Sequence, residues 1–133
     1  MRVLLAFDKF KDSLSARDAC TFAAAALGER HGEWIIDSCP LSDGGEGFSE
    51  ILTASVRGQI IGSSVMGPRG DEVQASIGMV PYDHIPAAAR ALLPPAPERI
   101  RAAPTIAVID MASASGLALL EPGDRDVWET TTV

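Results

Sequence analysis

Apolar positions in this chain gather into short runs, separated by stretches rich in glycine, proline and charge. Val3–Phe7 is continuously apolar, which predicts a strand buried on both faces. Asp8–Leu14 follows as a loop. Ser15 with Asp18 three positions later supplies an N-cap and its acidic partner, so a helix is expected over Ala16–Leu27, ending at Gly28. Trp34–Ser38 predicts a second strand, Pro40–Gly47 a second loop, and Glu46–Ser55 a second helix. In Glu72–Met79 the residues Val73, Ala75, Ile77 and Met79 alternate with polar or small ones, the mark of a half-buried strand. Gln59–Val65 pairs with it across Met66-Gly67-Pro68-Arg69-Gly70, whose proline and glycines suit a tight turn and predict an antiparallel hairpin.

Strand, helix, strand, helix at the start implies right-handed crossovers and a parallel sheet. The fold class expected is therefore α/β, Rossmann-like or flavodoxin-like, with an added β-hairpin. Residues 1–80 form its N-terminal portion. Residues 81–105 carry six prolines around one helical patch, Ala87–Leu93, and read as an insertion or linker. Ile106–Asp110 is strand-like again, and 106–133 is taken as the start of a second domain. Parallel sheets bind ligands beyond the carboxyl ends of their strands. That rule brings Asp8, Asp43, Glu46 and Asp110 forward as candidates, although a strand-end aspartate that caps the next segment accounts for Asp110 equally well.

Composition narrows the partners. A formal charge of −7 opposes a nucleic-acid backbone or an anionic membrane surface as the main partner. There is neither an eighteen-residue apolar stretch nor a signal-like start, so a cytoplasmic protein is expected. Cys20 and Cys39 have no disulfide framework around them and are expected to be buried, reduced thiols. Trp34 and Trp128 are read as packing residues. The only lysines are Lys9 and Lys11, both in the first loop, whereas the arginines are scattered.

Two loops carry candidate chemistry. Pro40-Leu41-Ser42-Asp43-Gly44-Gly45-Glu46-Gly47 has three glycines in four positions, which frees backbone N–H groups to face an anion at the start of a helix. Asp43 and Glu46 offer oxygen ligands for Mg²⁺ or a base for a substrate hydroxyl. An ordinary acidic turn that caps a helix accounts for the same residues. The loop matches neither the Walker pattern nor the dinucleotide-binding glycine pattern. Asp8-Lys9-Phe10-Lys11-Asp12-Ser13-Leu14-Ser15 adds a cation, hydroxyls and carboxylates, and Lys11 is positioned to neutralise a carboxylate or a transferring phosphoryl group. The competing reading makes Ser15 a cap, Lys11 a solvated charge and Phe10 a core residue.

Several stretches together resemble the type 1 glycerate kinase family. Asp8–Ala16 (DKFKDSLSA) is similar to its opening D-S-F/Y-K-x-S-L-S-A block, and Pro40–Gly47 (PLSDGGEG) to its P-L/V-A-D-G-G-E-G loop. Met66–Gly78 (MGPRGDEVQASIG) resembles the T-G-P-L-G-x-x-V-x-A-x-x-G hairpin, Ile109–Leu119 (IDMASASGLAL) resembles I-E-M-A-x-A-S-G-L, and Arg125–Thr131 is similar to the segment that follows. Lys9 departs from the usual serine, Ser42 from alanine, Asp110 from glutamate and Val127 from proline. The resemblance implies the N-terminal portion of a two-domain kinase that transfers phosphoryl from ATP to D-glycerate, with Mg²⁺ as companion. Lys11 and Asp43 are its expected catalytic residues, and Asp8, Ser13, Ser15, Gly44, Gly45 and Glu46 its substrate-binding ones. The metal ligand is left open between Asp43 and Glu46, and the catalytic base is unassigned. These 133 residues alone are expected to be inactive, to expose apolar surface and to self-associate. The alternative is a non-catalytic α/β module that binds a small acid.

Overall fold

The computed structural model describes residues 1–11, 13–93, 104–126 and 128–130. They fall into two compact units, residues 1–43 and 44–133. In the first, β1 (Arg2–Leu5) and β2 (Ile35–Ser38) pair in parallel with Leu5 opposite Ser38, joined by α1 (Ala16–Arg30). The parallel pair and its crossover helix are as the apolar runs imply.

α1 starts where the sequence places it. Ser15 is extended and its Oγ accepts from the Asp18 N–H at 3.1 Å while donating to Asp18 Oδ2 at 2.7 Å. Its end is later than expected, because Gly28 keeps helical geometry inside the last turn. The helix stops at His31, whose N–H closes on the Leu27 carbonyl and whose ring stacks on Trp34 at 3.7 Å. Ala16, Ala19 and Cys20 are buried, and the Cys20 thiol donates to the Leu5 carbonyl at 3.5 Å.

Two burial expectations need correction. β1 is covered on one face only: Leu5 is buried, but Leu4 on the other face is 65% exposed, as is Ile35, the partner of Arg2 on that face, at 62%. A continuous apolar run reports hydrophobicity, not which face acquires a partner. Cys39 is an exposed free thiol, because it lies beyond the last residue of β2, where the chain leaves the helix-covered face.

The second unit is an antiparallel sheet in the order β3 (Gln59–Met66), β4 (Glu72–Pro81), β5 (Thr105–Ile109), with α2 (Phe48–Ser55) packed on it. The hairpin is as expected, Gln59 facing Met79 and Met66 facing Glu72. Gly70 turns it with φ +79°, a conformation glycine reaches without strain. β5 pairs along β4, Ile77 opposite Ile109. Segments on either side of 81–105 therefore share one sheet, whereas the sequence reading drew a boundary there. The helical patch shortens to α3 (Ala87–Arg90). A further short helix, α4, spans Ala112–Ser115. Residues 94–103, much of the insertion, lie outside the described residues. Trp128 is 92% exposed rather than packed.

Candidate functional site

The first unit brings the lysine loop and the start of the acidic loop together by continuing the parallel ladder. Beyond β2 the Cys39 N–H donates to the Leu5 carbonyl and the Leu41 N–H to the Phe7 carbonyl, each at 2.8 Å. Two residues further on, Lys9 Nζ donates to Asp43 Oδ1 at 3.3 Å. The lysine side chain is 28% exposed and the aspartate 68%. The Lys9 N–H in turn bonds Asp8 Oδ1 at 2.6 Å, so Asp8 fixes the backbone from which Lys9 reaches. A tight turn follows, in which Ser13 and Leu14 N–H groups both donate to the Phe10 carbonyl. Phe10 is more than half exposed and tilts against Phe7 at 6.2 Å, so it is not a core residue.

Of the residues expected to act, Asp8 and Asp43 are gathered around Lys9. Lys11 sits exposed in the turn, with no ion-pair partner among the described residues. Ser13 is exposed in the same turn, and Ser15 spends its hydroxyl on the α1 cap. The family block carries its lysine at position 11, and a motif match therefore passes over Lys9. The signal that finds it is the hydrogen-bond spacing of the ladder. The spacing of thirty-four residues between Lys9 and Asp43 also separates Leu5 from Cys39 and Phe7 from Leu41.

The rest of the acidic loop belongs to the second unit. Gly44 and Gly47 have φ of +97° and +84°, and Gly47 serves as the N-cap of α2 without a side-chain cap. The Gly45 carbonyl accepts from Phe48 N–H at 3.1 Å, and Glu46 is exposed. The glycines thus meet a conformational demand at two positions. Asp110 takes the second of its two expected roles, a cap for the segment that follows. It follows a strand of the antiparallel sheet, not the parallel one, and is 3% exposed. Its Oδ1 accepts from the Ala112 N–H at 2.8 Å, which makes it a turn-forming residue. This unit also holds a cavity of about 470 Å³ lined by Leu52, Val56, Val80, Ile85, Leu93 and Ile106 among others. Its apolar lining does not suit a charged acid.

The described residues hold no grouping of three or more His, Cys, Asp or Glu side chains that fits a metal ion. Asp43 faces Lys9. These residues therefore do not form a Mg²⁺ cage of their own.

The glycerate kinase family model matches residues 3–133. The chain belongs to the glycerate kinase family. It is 32% identical to a glycerate kinase of Bacillus subtilis and 31% identical to a glycerate 2-kinase of Escherichia coli, in each case over 99% of this chain and 29% of the relative. A crystal structure of a chain assigned as a glycerate kinase from Salmonella typhimurium LT2 superposes with a TM-score of 0.61 at 32% identity, over 98% of this chain and 29% of that one. The chain thus spans a little under a third of the length of the glycerate kinases it matches. No helix among the described residues is long and apolar enough to cross a membrane.

Proposed function

We propose that this chain supplies part of the substrate site of an ATP-dependent kinase acting on D-glycerate. The observation that carries the reading is the family match over residues 3–133, which takes in both loops. Phosphoryl transfer asks little covalent chemistry of a protein: it needs charge compensation and a correctly held hydroxyl. Lys11, exposed on the first loop, compensates charge on the transferring group. Asp43 accepts from, and so orients, the glycerate hydroxyl that attacks. Asp8 and Ser13 support the first loop. Ser15 acts through the α1 cap instead of touching substrate. Mg²⁺ enters as companion of the nucleotide phosphates, and no step here depends on a protein cage for it. The chemistry is cytoplasmic.

The test is a chimera in which residues 3–133 replace the matching segment of the Bacillus subtilis enzyme. D-glycerate-dependent release of ADP is the readout. The chimera should turn over, and Asp43→Ala should lower kcat about a hundredfold while the fold survives by circular dichroism. Near-normal turnover in Asp43→Ala would remove that residue from the mechanism. Binding of D-glycerate without ADP release would favour a non-catalytic acid-binding module. The 133 residues alone are expected to show no turnover.

A further inference from the structure

We infer that Lys9 is a ligand-binding residue which holds the Asp43 carboxylate in the free protein and exchanges it for an anionic oxygen of the ligand. The inference rests on the D-glycerate reading but starts from a different residue. An ion pair joins the two loops through Lys9 and Asp43. The pair is anchored at both ends. Asp8 holds the Lys9 backbone, and the extended ladder through Leu41 and Phe7 leads the second loop to Asp43. The ammonium itself is free to swing, since a lysine is a point charge on a flexible stem. At 3.3 Å and largely exposed on the aspartate side, the bond is weak enough to be traded. A carboxylate or phosphate arriving at the first loop competes for the same ammonium, and Lys9 releases Asp43 as the ligand binds. The serine that the resembled block carries at position 9 has no charge with which to do this.

The chain's two lysines make the test direct. Reductive methylation with ¹³C-formaldehyde keeps the charges and gives one signal each for Lys9, Lys11 and the Met1 α-amine, the lysine signals being assigned with Lys9→Arg and Lys11→Arg. Asp43→Asn should move the Lys9 signal and leave that of Lys11 in place. D-glycerate, and inorganic phosphate as a second anion, should move the Lys9 signal saturably. Lys9→Ser should weaken D-glycerate binding about fivefold, and Lys9→Arg should restore it. Amide spectra of each variant establish that it is folded. A Lys9 signal indifferent to Asp43→Asn overturns the pair. Binding of D-glycerate to Lys9→Ser as tight as to the parent overturns the exchange while leaving the proposed substrate intact. If neither anion moves any signal, the exchange and the proposed substrate fall together, a pattern distinct from the previous one.

Discussion

Gly78 lies where β4 passes beneath α2, and its lack of a side chain sets how closely the two approach. A Cβ placed there would stand 1.8 Å from Thr53 Oγ1, 3.1 Å from Thr53 Cβ and 3.3 Å from the Ser49 carbonyl. Thr53 is fully buried and β-branched, with few rotamers open to it in a helix, so it cannot rotate away cheaply. Overpacking of this kind costs up to about 3 kcal/mol, and the lower chain entropy of alanine in the unfolded state returns about 0.5–1 of it. The expected net loss for Gly78→Ala is therefore about 2 kcal/mol. With a urea slope near 2 kcal/mol per molar, the unfolding midpoint falls by about 1 M.

Thr53→Ala separates this account from a general intolerance of the strand. It removes the atom that the added methyl group would strike, and with it a buried hydroxyl that has no hydrogen-bond partner among the described residues. The double variant should recover at least about 1 kcal/mol relative to additivity. Gly58→Ala is the comparison: its Cβ would stand 2.7 Å from both the Met79 carbonyl and Thr53 Cγ2, and Thr53→Ala removes only the second of these obstacles. Rescue there should be smaller. Circular dichroism during urea unfolding reads all of these comparisons. A Gly78→Ala midpoint equal to the parent's, or equal rescue at positions 58 and 78, would refute the argument that Thr53 is the obstacle.

Three further outcomes follow from the structure. Ser15→Ala removes the α1 cap and should cost about 1 kcal/mol in urea unfolding, with Ser15→Asp recovering most of it. Cys39 should react with a thiol reagent at once in the native protein, while Cys20 reacts only as the chain unfolds; two thiols of equal rate would contradict their opposite burial. The Arg2 hydrogen bond to Asp37, 2.6 Å long, holds the Asp37 carboxyl below its ordinary 3.8, and the guanidinium's charge acts in the same direction. A lowered carboxyl stabilises the fold above the ordinary value and loses that contribution as pH falls through the depressed one. Asp37→Asn should therefore lower the urea midpoint at pH 6 but not at pH 2, by a small amount since both groups are exposed. A difference that persists in acid would point to packing.

Local chemistry was the legible part of this sequence. The Ser15–Asp18 cap, the Pro68–Gly70 turn and the alternation through β4 each follow from side chains within a few residues of one another. Burial was less so, because it depends on which face of an element finds a partner. Leu4 and Leu5 are alike in type and adjacent, yet one is exposed and the other is buried on the α1 side. The end of α1 falls beyond its expected place for a related reason. A glycine marks a helix end only when the backbone turns left-handed there, and Gly28 stays helical. Asp110 shows the limit of the rim rule. A strand-end aspartate points to a ligand only if its strand belongs to the parallel sheet, and β5 joins an antiparallel one.

The candidate site teaches the opposite lesson about spacing. Both lysines lie in one loop, and a match to a family block favours Lys11 because the block carries a lysine there. The ladder favours Lys9. Once Leu5 stands opposite Ser38, every residue that continues in extended form after β1 keeps a fixed partner after β2. The hydrogen bonds of that ladder, Cys39 N–H to the Leu5 carbonyl and Leu41 N–H to the Phe7 carbonyl, span thirty-four residues, and the same span brings Lys9 Nζ to Asp43 before the chain turns at Phe10. Lys11 is two residues too late: by then the first loop has closed into its turn, and the second has reached the glycines that lead into α2. A lysine's role in such loops is therefore set by its offset from the last paired strand residue as much as by the motif that contains it. Here that offset makes Lys9 the partner of Asp43 and leaves Lys11 without an ion pair among the described residues.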